Sequence, residues 1–133
     1  MTIDRESAAA FVHRYGPTWG SWDGSGFVDL FSEDVAYVAH PTEETIVGRA
    51  ALDAYVRKEA IEQGEVSVRM GNPLVDGDRV AAEFWVTATS ASGDATIAGC
   101  FIARIAEDGR CFQFREYWFD LEGHTGAYEG WGE

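Results

Sequence analysis

The segment CFQFREYWFD, residues 111–120, predicts an aromatic β-strand around which the rest of the chain can fold. Strand side chains alternate between two faces, so Glu116 shares its face with Phe112, Phe114 and Trp118. A carboxylate among aromatic rings is costly to ionise, and its pKa rises unless it is paired or hydrated. We therefore expect this strand to be either the wall of a pocket with a polar tip or the buried half of a subunit interface.

The composition favours one domain and excludes several classes of partner. The chain has 133 residues, 46% of them apolar, which suits a single domain over residues 1–133 with a genuine core. Its net charge of −13 argues against nucleic acid and anionic membrane as partners. No apolar run reaches the roughly 18 residues of a membrane span and no signal peptide is evident, so we expect a cytoplasmic protein. We expect no cofactor, and no metal because zinc-binding spacings of Cys and His are absent.

The N-terminal half predicts three α-helices, over about residues 4–15, 23–31 and 49–63. Thr2 or Asp4 can cap the first helix, and its apolar residues recur with helical spacing up to Tyr15. Gly16-Pro17 predicts a kink after it, because the residue before a proline disfavours helix. Asp23 can cap the short second helix, which we expect to end in a turn at Ser32-Glu33-Asp34.

The C-terminal half predicts a curved antiparallel sheet, because apolar residues there alternate with period two. The strands are predicted over about residues 35–39, 66–70, 80–89, 95–106 and 111–120. A glycine-rich tail, residues 121–133, follows the core of about residues 5–120. Its aromatic residues Tyr128 and Trp131 predict docking on the domain or on a partner subunit.

The dipeptide Asp108-Gly109 predicts a tight hairpin between the last two strands and thereby their register. This register sets Phe101 opposite Glu116 and Gly99 opposite Trp118. Cys100 falls opposite Tyr117 and Cys111 opposite Ala106, which places the two thiols too far apart for a disulfide. The loop 90–94 leaves open which face of the sheet Glu83 occupies.

The segments FVDLFSEDVAYVAHP, IVGRAALDAYV and DGRCFQFREYW, in this order, resemble the nuclear transport factor 2-like superfamily, in particular its SnoaL-like, polyketide cyclase-like branch. The resemblance covers about residues 5–120. It implies a cone-shaped α+β domain, in which three N-terminal helices pack on a curved antiparallel sheet around an apolar pocket. Because this fold hosts isomerases, hydrolases, dehydratases, cyclases and proteins without chemistry, the resemblance does not decide the activity.

The resemblance also implies candidate catalytic residues. The HRY that ends at Tyr15 is similar to the first-helix segment that supplies the oxyanion-holding tyrosine of ketosteroid isomerases. Arg115-Glu116-Tyr117-Trp118 is similar to the RDYF segment of limonene epoxide hydrolases, with Glu116 in place of the catalytic aspartate. The remaining polar groups of those two branches fall on apolar residues here, unless one inserted residue brings His40 to the position of the isomerase base, so neither machinery is complete. For the isomerase, these positions are Ala39, or His40 if one residue is inserted, and Phe101. For the hydrolase, they are Phe84 and Val86.

Two functions therefore stay open for a pocket that holds a small, largely apolar organic molecule. One is a ligand-binding module in which Glu116 is structural. The other is a cofactor-free isomerase, dehydratase or cyclase, with Glu116 as acid/base, His40 as its partner and Tyr15 orienting a substrate oxygen. The expected ligand-binding walls are Trp19, Tyr37, Phe101, Phe114 and Trp118. We also expect a homodimer formed through the outer face of the sheet.

Overall fold

The computed structural model describes residues 3–19 and 26–133, and within these ranges the chain forms two α-helices and one seven-stranded sheet. The helices are α1 (Arg5–Trp19) and α2 (Arg49–Gln63). The strands are β1 (Phe31–Val38), β2 (Ile46–Val47), β3 (Glu65–Met70), β4 (Leu74–Asp76), β5 (Arg79–Ser90), β6 (Gly93–Ile105) and β7 (Cys111–Glu122). Neither of the described helices is long and apolar enough to cross a membrane.

The prediction of three N-terminal helices is wrong for the described residues, which form two. Residues Val28–Leu30 form only a 3-10 turn, and the proposed cap Asp23 lies outside the described residues. Phe31 fits the helical spacing, but it also keeps period two with Val35 and Tyr37, and all three are buried in β1. The polar residues 32–34 therefore belong to this strand instead of a turn, and the β1–β7 register is irregular between Phe31 and Ala36.

Helix α1 also runs through the predicted kink at Gly16-Pro17 and ends at Trp19. Asp4 caps its start, because the backbone N–H of Ser7 donates to the Asp4 carboxylate at 2.8 Å. Pro17 lies in the last turn, where its missing N–H removes one backbone hydrogen bond just before the helix ends. The Thr18 hydroxyl supplies a hydrogen bond there, donating to the carbonyl oxygen of Tyr15 at 2.8 Å.

The sheet has the strand order β2-β1-β7-β6-β5-β3, and β4 pairs with β5 at one side. It is mixed instead of purely antiparallel, because β1 runs parallel to β7. The direction of β1 was not predictable from a turn, since no hairpin joins these two strands. The alternation of buried and exposed residues along β5 and β6 confirms the period-two pattern of the C-terminal half.

The predicted register of β6 and β7 is confirmed where it matters for the site. Phe101 faces Glu116, Gly99 faces Trp118 and Cys100 faces Tyr117. The register shifts at Arg104 and Ile105, so Cys111 pairs with Ile105 and not with Ala106. Both cysteines are free, as expected.

Glu83 lies on the outer face of the sheet. Its cross-strand partner is Cys100, whereas the neighbouring pair Ala82 and Phe101 shares the face of Glu116. The loop before β6 is shorter than predicted, because β5 extends to Ser90 and pairs it with Gly93. Glu83 is solvent-exposed and takes no part in the Glu116 site.

Aromatic side chains fill the core between α1 and the inner face of the sheet. Phe11 contacts Phe31 and Phe101 edge to face, with ring centroids 5.9 Å apart in both pairs. Phe114 stacks on Tyr37 at 4.7 Å and on Phe101 at 4.9 Å. This packing fills the inner face of the sheet around Phe114, and a cavity lies next to it towards the far end of β7.

The tail after β7 folds back over the outer face of its own domain. Trp131 is buried against Trp85, with ring centroids 6.0 Å apart, and Arg69 lies over the Trp131 ring at 4.8 Å. The indole N–H of Trp85 donates to the Thr125 carbonyl oxygen at 2.8 Å. Docking of Trp131 on the domain is therefore the correct alternative, while Tyr128 stays 65% exposed.

Candidate active site

Strand β7 directs three functional side chains towards α2, because Glu116, Trp118 and Asp120 share its inner face. Glu116 lies deepest and is only 7% exposed. Trp118 is partly buried and Asp120 is solvent-exposed, so the strand leads from the core to the surface.

Two tyrosine hydroxyls contact the carboxylate of Glu116, one at each oxygen. Tyr15 of α1 donates to Oε2 and Tyr37 of β1 donates to Oε1, each at 3.5 Å. Both tyrosines are fully buried. The two distances lie at the outer limit for a hydrogen bond, so these contacts hold Glu116 in place but satisfy it weakly.

Burial raises the pKa of Glu116 to about 8, compared with an ordinary value of 4.5. The hydrogen bonds from Tyr37 and Tyr15 lower this pKa in part, and the negative charges of Glu43 and Glu59 raise it further. Burial also raises the pKa values of Tyr15 and Tyr37, with the charge of Glu116 as the next cause. The free protein therefore holds Glu116 as a neutral acid at pH 7, next to two hydroxyl groups that stay protonated.

A cavity of about 200 Å³ opens between α1, α2 and the sheet, with Glu116 in its wall. Its lining residues are Trp19, Tyr55, Glu59, Glu62, Ile97, Glu116, Trp118 and Asp120. This volume is below the roughly 300 to 1,000 Å³ of a typical drug-sized pocket, so only a small molecule fits. Aromatic rings beside one buried acid and three more accessible carboxyl groups suit recognition of a small organic ligand.

Gly99 makes room for Trp118 in this wall. A Cβ atom at Gly99 would meet the carbonyl oxygen of Tyr117 and would lie 2.7 Å from the Cα and Cβ atoms of Trp118. The indole N–H of Trp118 donates to the carbonyl oxygen of Ala39 at 2.7 Å, which fixes the ring between β7 and the end of β1.

His40 lies at the outer side of the Trp118 ring, with ring centroids 5.1 Å apart. Its Nδ1 is 2.7 Å from the Thr42 hydroxyl and accepts from the Thr42 backbone N–H at 3.3 Å. Among the described contacts, none joins His40 to Glu116, and His40 is not part of the cavity lining. The predicted partnership of these two side chains therefore has no support in this geometry.

The other predicted wall residues divide into two groups. Trp19 and Trp118 line the cavity. Tyr37 is outside the lining, but its hydroxyl contacts the Glu116 carboxylate. Phe101 and Phe114 lie fully buried in the aromatic core, away from the lining.

Five residues of the cavity lining were not predicted from the sequence, namely Tyr55, Glu59 and Glu62 of α2, Ile97 and Asp120. A local signal existed for most of them. Tyr55, Glu59 and Glu62 are spaced i, i+4 and i+7 and share one helix face. Asp120 has the same strand parity as Glu116. What the sequence could not show is that this helix face lies over the end of β7.

A larger cavity of about 660 Å³ lies on the opposite, outer face of the sheet. Its lining includes Leu74, Trp85, Cys100, Phe119, Tyr128 and Trp131. It holds none of the predicted catalytic residues and is bounded by the tail.

No group of three or more His, Cys, Asp or Glu side chains within the described ranges is arranged to hold a metal ion.

Comparison with known proteins places this geometry in a family. Residues 12–114 match the SnoaL-like domain, which is most of the chain. The chain belongs to the SnoaL-like family. This family is part of the nuclear transport factor 2-like superfamily, as the sequence motifs indicated. No curated protein matches the sequence at a significant level.

Several solved structures share the fold of this SnoaL-like domain. One is the epoxide hydrolase/cyclase-like enzyme SalBIII, which has a role in pyran ring formation in the polyether salinomycin. Its TM-score is 0.77 at 20% sequence identity, and the alignment covers 87% of this chain and 93% of SalBIII. RV0760c from Mycobacterium tuberculosis gives 0.77 at 16% identity, covering 91% of this chain and 99% of that one. An M. tuberculosis LEH-like epoxide hydrolase has a TM-score of 0.72 at 17% sequence identity, and the alignment covers 86% of this chain and 84% of that chain. At these identities the likeness shows the fold alone.

Proposed function

We propose that this SnoaL-like domain is a cofactor-free acid/base enzyme that binds a small, largely apolar organic molecule and exchanges a proton with it through Glu116. The observation that carries this proposal is the position of Glu116, buried in the cavity wall with a pKa of about 8. A carboxyl group whose pKa lies near neutral pH is suited to proton transfer in both directions.

The arrangement supports a simple proton cycle. Neutral Glu116 donates its proton to a basic atom of the bound molecule, such as an oxygen. The carboxylate that remains accepts hydrogen bonds from Tyr15 and Tyr37, which strengthen as its charge develops. It then takes a proton from another atom of the same molecule, so that the enzyme ends the cycle as it began. Such a cycle serves an isomerisation, a dehydration or a ring closure.

The comparisons support this proposal at the level of chemistry that the fold hosts. Two of the similar structures belong to an epoxide hydrolase/cyclase-like enzyme and an epoxide hydrolase. Acid catalysis by a carboxyl group suits ring opening and ring closure at an oxygen atom. We assign no particular substrate to this chain from them.

A second candidate function is ligand binding without chemistry, as the sequence analysis first expected. The specific observation in its favour is that Ala39, Phe84, Val86 and Phe101, where the resemblance expects further polar groups, are all buried and apolar. His40 does not compensate for them, because its recorded hydrogen bonds are with Thr42. Under this reading Glu116 fixes α1 and β1 to β7 through the two tyrosines.

The two functions are separated by a Glu116→Gln variant. The protein is purified gently, a co-purifying small molecule is identified by native mass spectrometry, and its conversion is followed by chromatography. We expect Glu116→Gln to bind the molecule but to lose turnover by at least about a hundredfold, the usual contribution of a general acid. Glu83→Gln, which removes a carboxylate from the outer face, serves as the matched control with normal turnover. Normal turnover in Glu116→Gln, or no turnover in any form, contradicts the enzyme proposal.

We also propose that the chain forms a homodimer through the outer face of the sheet. Large apolar side chains are exposed there, including Leu74, Phe119, Leu121 and Tyr128. Light scattering after gel filtration should give a dimer mass for the wild type and a monomer mass for Phe119→Asp. Ile61→Asp is the control, because Ile61 is 85% exposed on α2, away from this face. A monomeric wild type contradicts the proposal.

Cytoplasmic location stays a prediction from the sequence.

A further inference from the structure

The small cavity next to Glu116 has an unusual distribution of charge. Four of its lining residues carry carboxyl groups, namely Glu59, Glu62, Glu116 and Asp120, and none of its described lining residues carries a basic group. The positive charge of Lys58, the chain neighbour of Glu59, lowers the pKa of Glu59 only in part, and Lys58 is solvent-exposed. Negative potential is therefore concentrated in this cavity, beside the aromatic rings of its wall.

The carboxyl groups are arranged by depth. Glu116 lies at the buried end and is flanked by Tyr15 and Tyr37, whereas Glu62 and Asp120 are exposed at the mouth. Glu59 is half-buried between these two levels. Burial raises the pKa of Glu59, and the charges of Glu62 and Glu43 raise it further. The free protein thus keeps like charges together at the mouth without a basic partner in the lining.

The walls between these levels are aromatic. Trp19, Tyr55 and Trp118 contribute rings to the lining. The N–H group of Trp118 is engaged by Ala39 outside the cavity, so the apolar ring surface is the part of this side chain available to a ligand. Aromatic faces attract organic cations, and the attraction increases when the cation is desolvated.

From this geometry we infer that the cavity selects a small organic cation, either a protonated amine or a quaternary ammonium group attached to an apolar body. The charged nitrogen lies at the mouth, among Glu59, Glu62 and Asp120. The apolar body lies between the aromatic rings and extends towards Glu116. Anionic molecules are repelled. This inference rests on the proposed ligand pocket and specifies the chemical class of the ligand.

Binding of three probes of similar size tests the inference. Benzylamine is the cation, benzyl alcohol the neutral match and benzoate the anion, and each is measured by isothermal titration calorimetry at pH 7. We expect benzylamine to bind about tenfold more tightly than benzyl alcohol, because the carboxylates at the mouth attract its charge and not the neutral hydroxyl group. We expect benzoate not to bind. Added salt should weaken only the binding of benzylamine.

A charge-matched pair of variants assigns the selectivity to the mouth. Glu59→Gln combined with Glu62→Gln should reduce the preference for benzylamine to about twofold, leaving benzyl alcohol unchanged, because the neutralised pair no longer attracts the nitrogen. Glu107→Gln combined with Glu129→Gln removes the same total charge from exposed positions outside the cavity lining and should keep the preference.

Each outcome decides between the claims. If benzyl alcohol binds as tightly as benzylamine, the pocket stands and the inference about its ligand class is overturned. An equal loss of preference in both double variants also overturns it, since the effect then comes from net charge. If no probe binds to the folded protein, the ligand pocket itself is contradicted.

Discussion

The proton on Glu116 is a consequence of what surrounds this one side chain. Desolvation disfavours the carboxylate, and two long hydrogen bonds from Tyr15 and Tyr37 only partly compensate. Strand alternation alone predicted an inward-facing acid among aromatic rings. It could not predict which groups would meet the acid, because the two tyrosines are separated from it by 101 and 79 positions along the chain.

Stability should therefore depend on pH through Glu116. Its pKa is about 8 in the folded chain, whereas the ordinary value of 4.5 applies to the unfolded chain. Between these values the folded state binds the proton of Glu116 more tightly than the unfolded state does. The stabilising contribution of this proton is therefore complete below the lower value and is lost as the pH rises through the higher one. Between pH 6 and 9 we expect the free energy of unfolding to fall by a few kcal/mol.

Urea unfolding of Glu116→Gln at the same pH values checks this expectation. The amide cannot ionise, so the decrease between pH 6 and 9 should largely disappear in this variant. Glu83→Gln, on the outer face, should retain the decrease seen in the wild type. A parallel loss of stability in Glu116→Gln would show that other groups cause it.

Strand β6 shapes the site through a glycine. Gly99 faces Trp118 across the β6–β7 ladder, and the hairpin signal at Asp108-Gly109 predicted this pairing correctly. The hairpin sets the register because only a short turn separates the two strands. The parallel pairing of β1 with β7 had no such local determinant and was missed.

Replacing Gly99 by alanine should displace Trp118. The new methyl group would contact the backbone of residues 117 and 118, and strands of a paired sheet cannot separate locally without loss of hydrogen bonds. We expect a loss of about 1 to 3 kcal/mol in stability, typical of overpacking, together with a shifted tryptophan fluorescence.

The matched control is Gly126→Ala, since a Cβ atom at Gly126 meets nothing within 4 Å. It should change stability by less than about 0.5 kcal/mol. A Gly99→Ala protein as stable as this control would mean that β7 has more freedom to move than its packing indicates.

At the scale of the whole molecule, the inner and outer faces of the sheet carry separate structures. The inner face packs on the two helices and holds the Glu116 cavity, whereas the outer face carries the tail and the larger cavity. The aromatic residues of the tail predicted that it would dock. Their contacts with Trp85 and Arg69 depend on the curvature of the sheet, which no short stretch of sequence determines.

The tail should stabilise the domain without forming the small cavity. Trp131 is 4% exposed and packs on Trp85 and Arg69, so Trp131→Ala should lower the free energy of unfolding by about 2 to 4 kcal/mol. Tyr128→Ala should cost less than about 1 kcal/mol in the same tail, because Tyr128 is 65% exposed. Denaturant unfolding gives both values.

Binding of benzylamine to the Trp131→Ala protein, measured where it remains folded, tests the separation of the two faces. Its affinity should equal that of the wild type within about twofold, because the described lining of the Glu116 cavity includes no residue of the tail. A clear loss of affinity would instead mean that the outer face controls the curvature of β6 and β7. In that case the position of Trp118 would depend on Trp131 through the thickness of the sheet, and the two faces would have to be treated as one coupled unit.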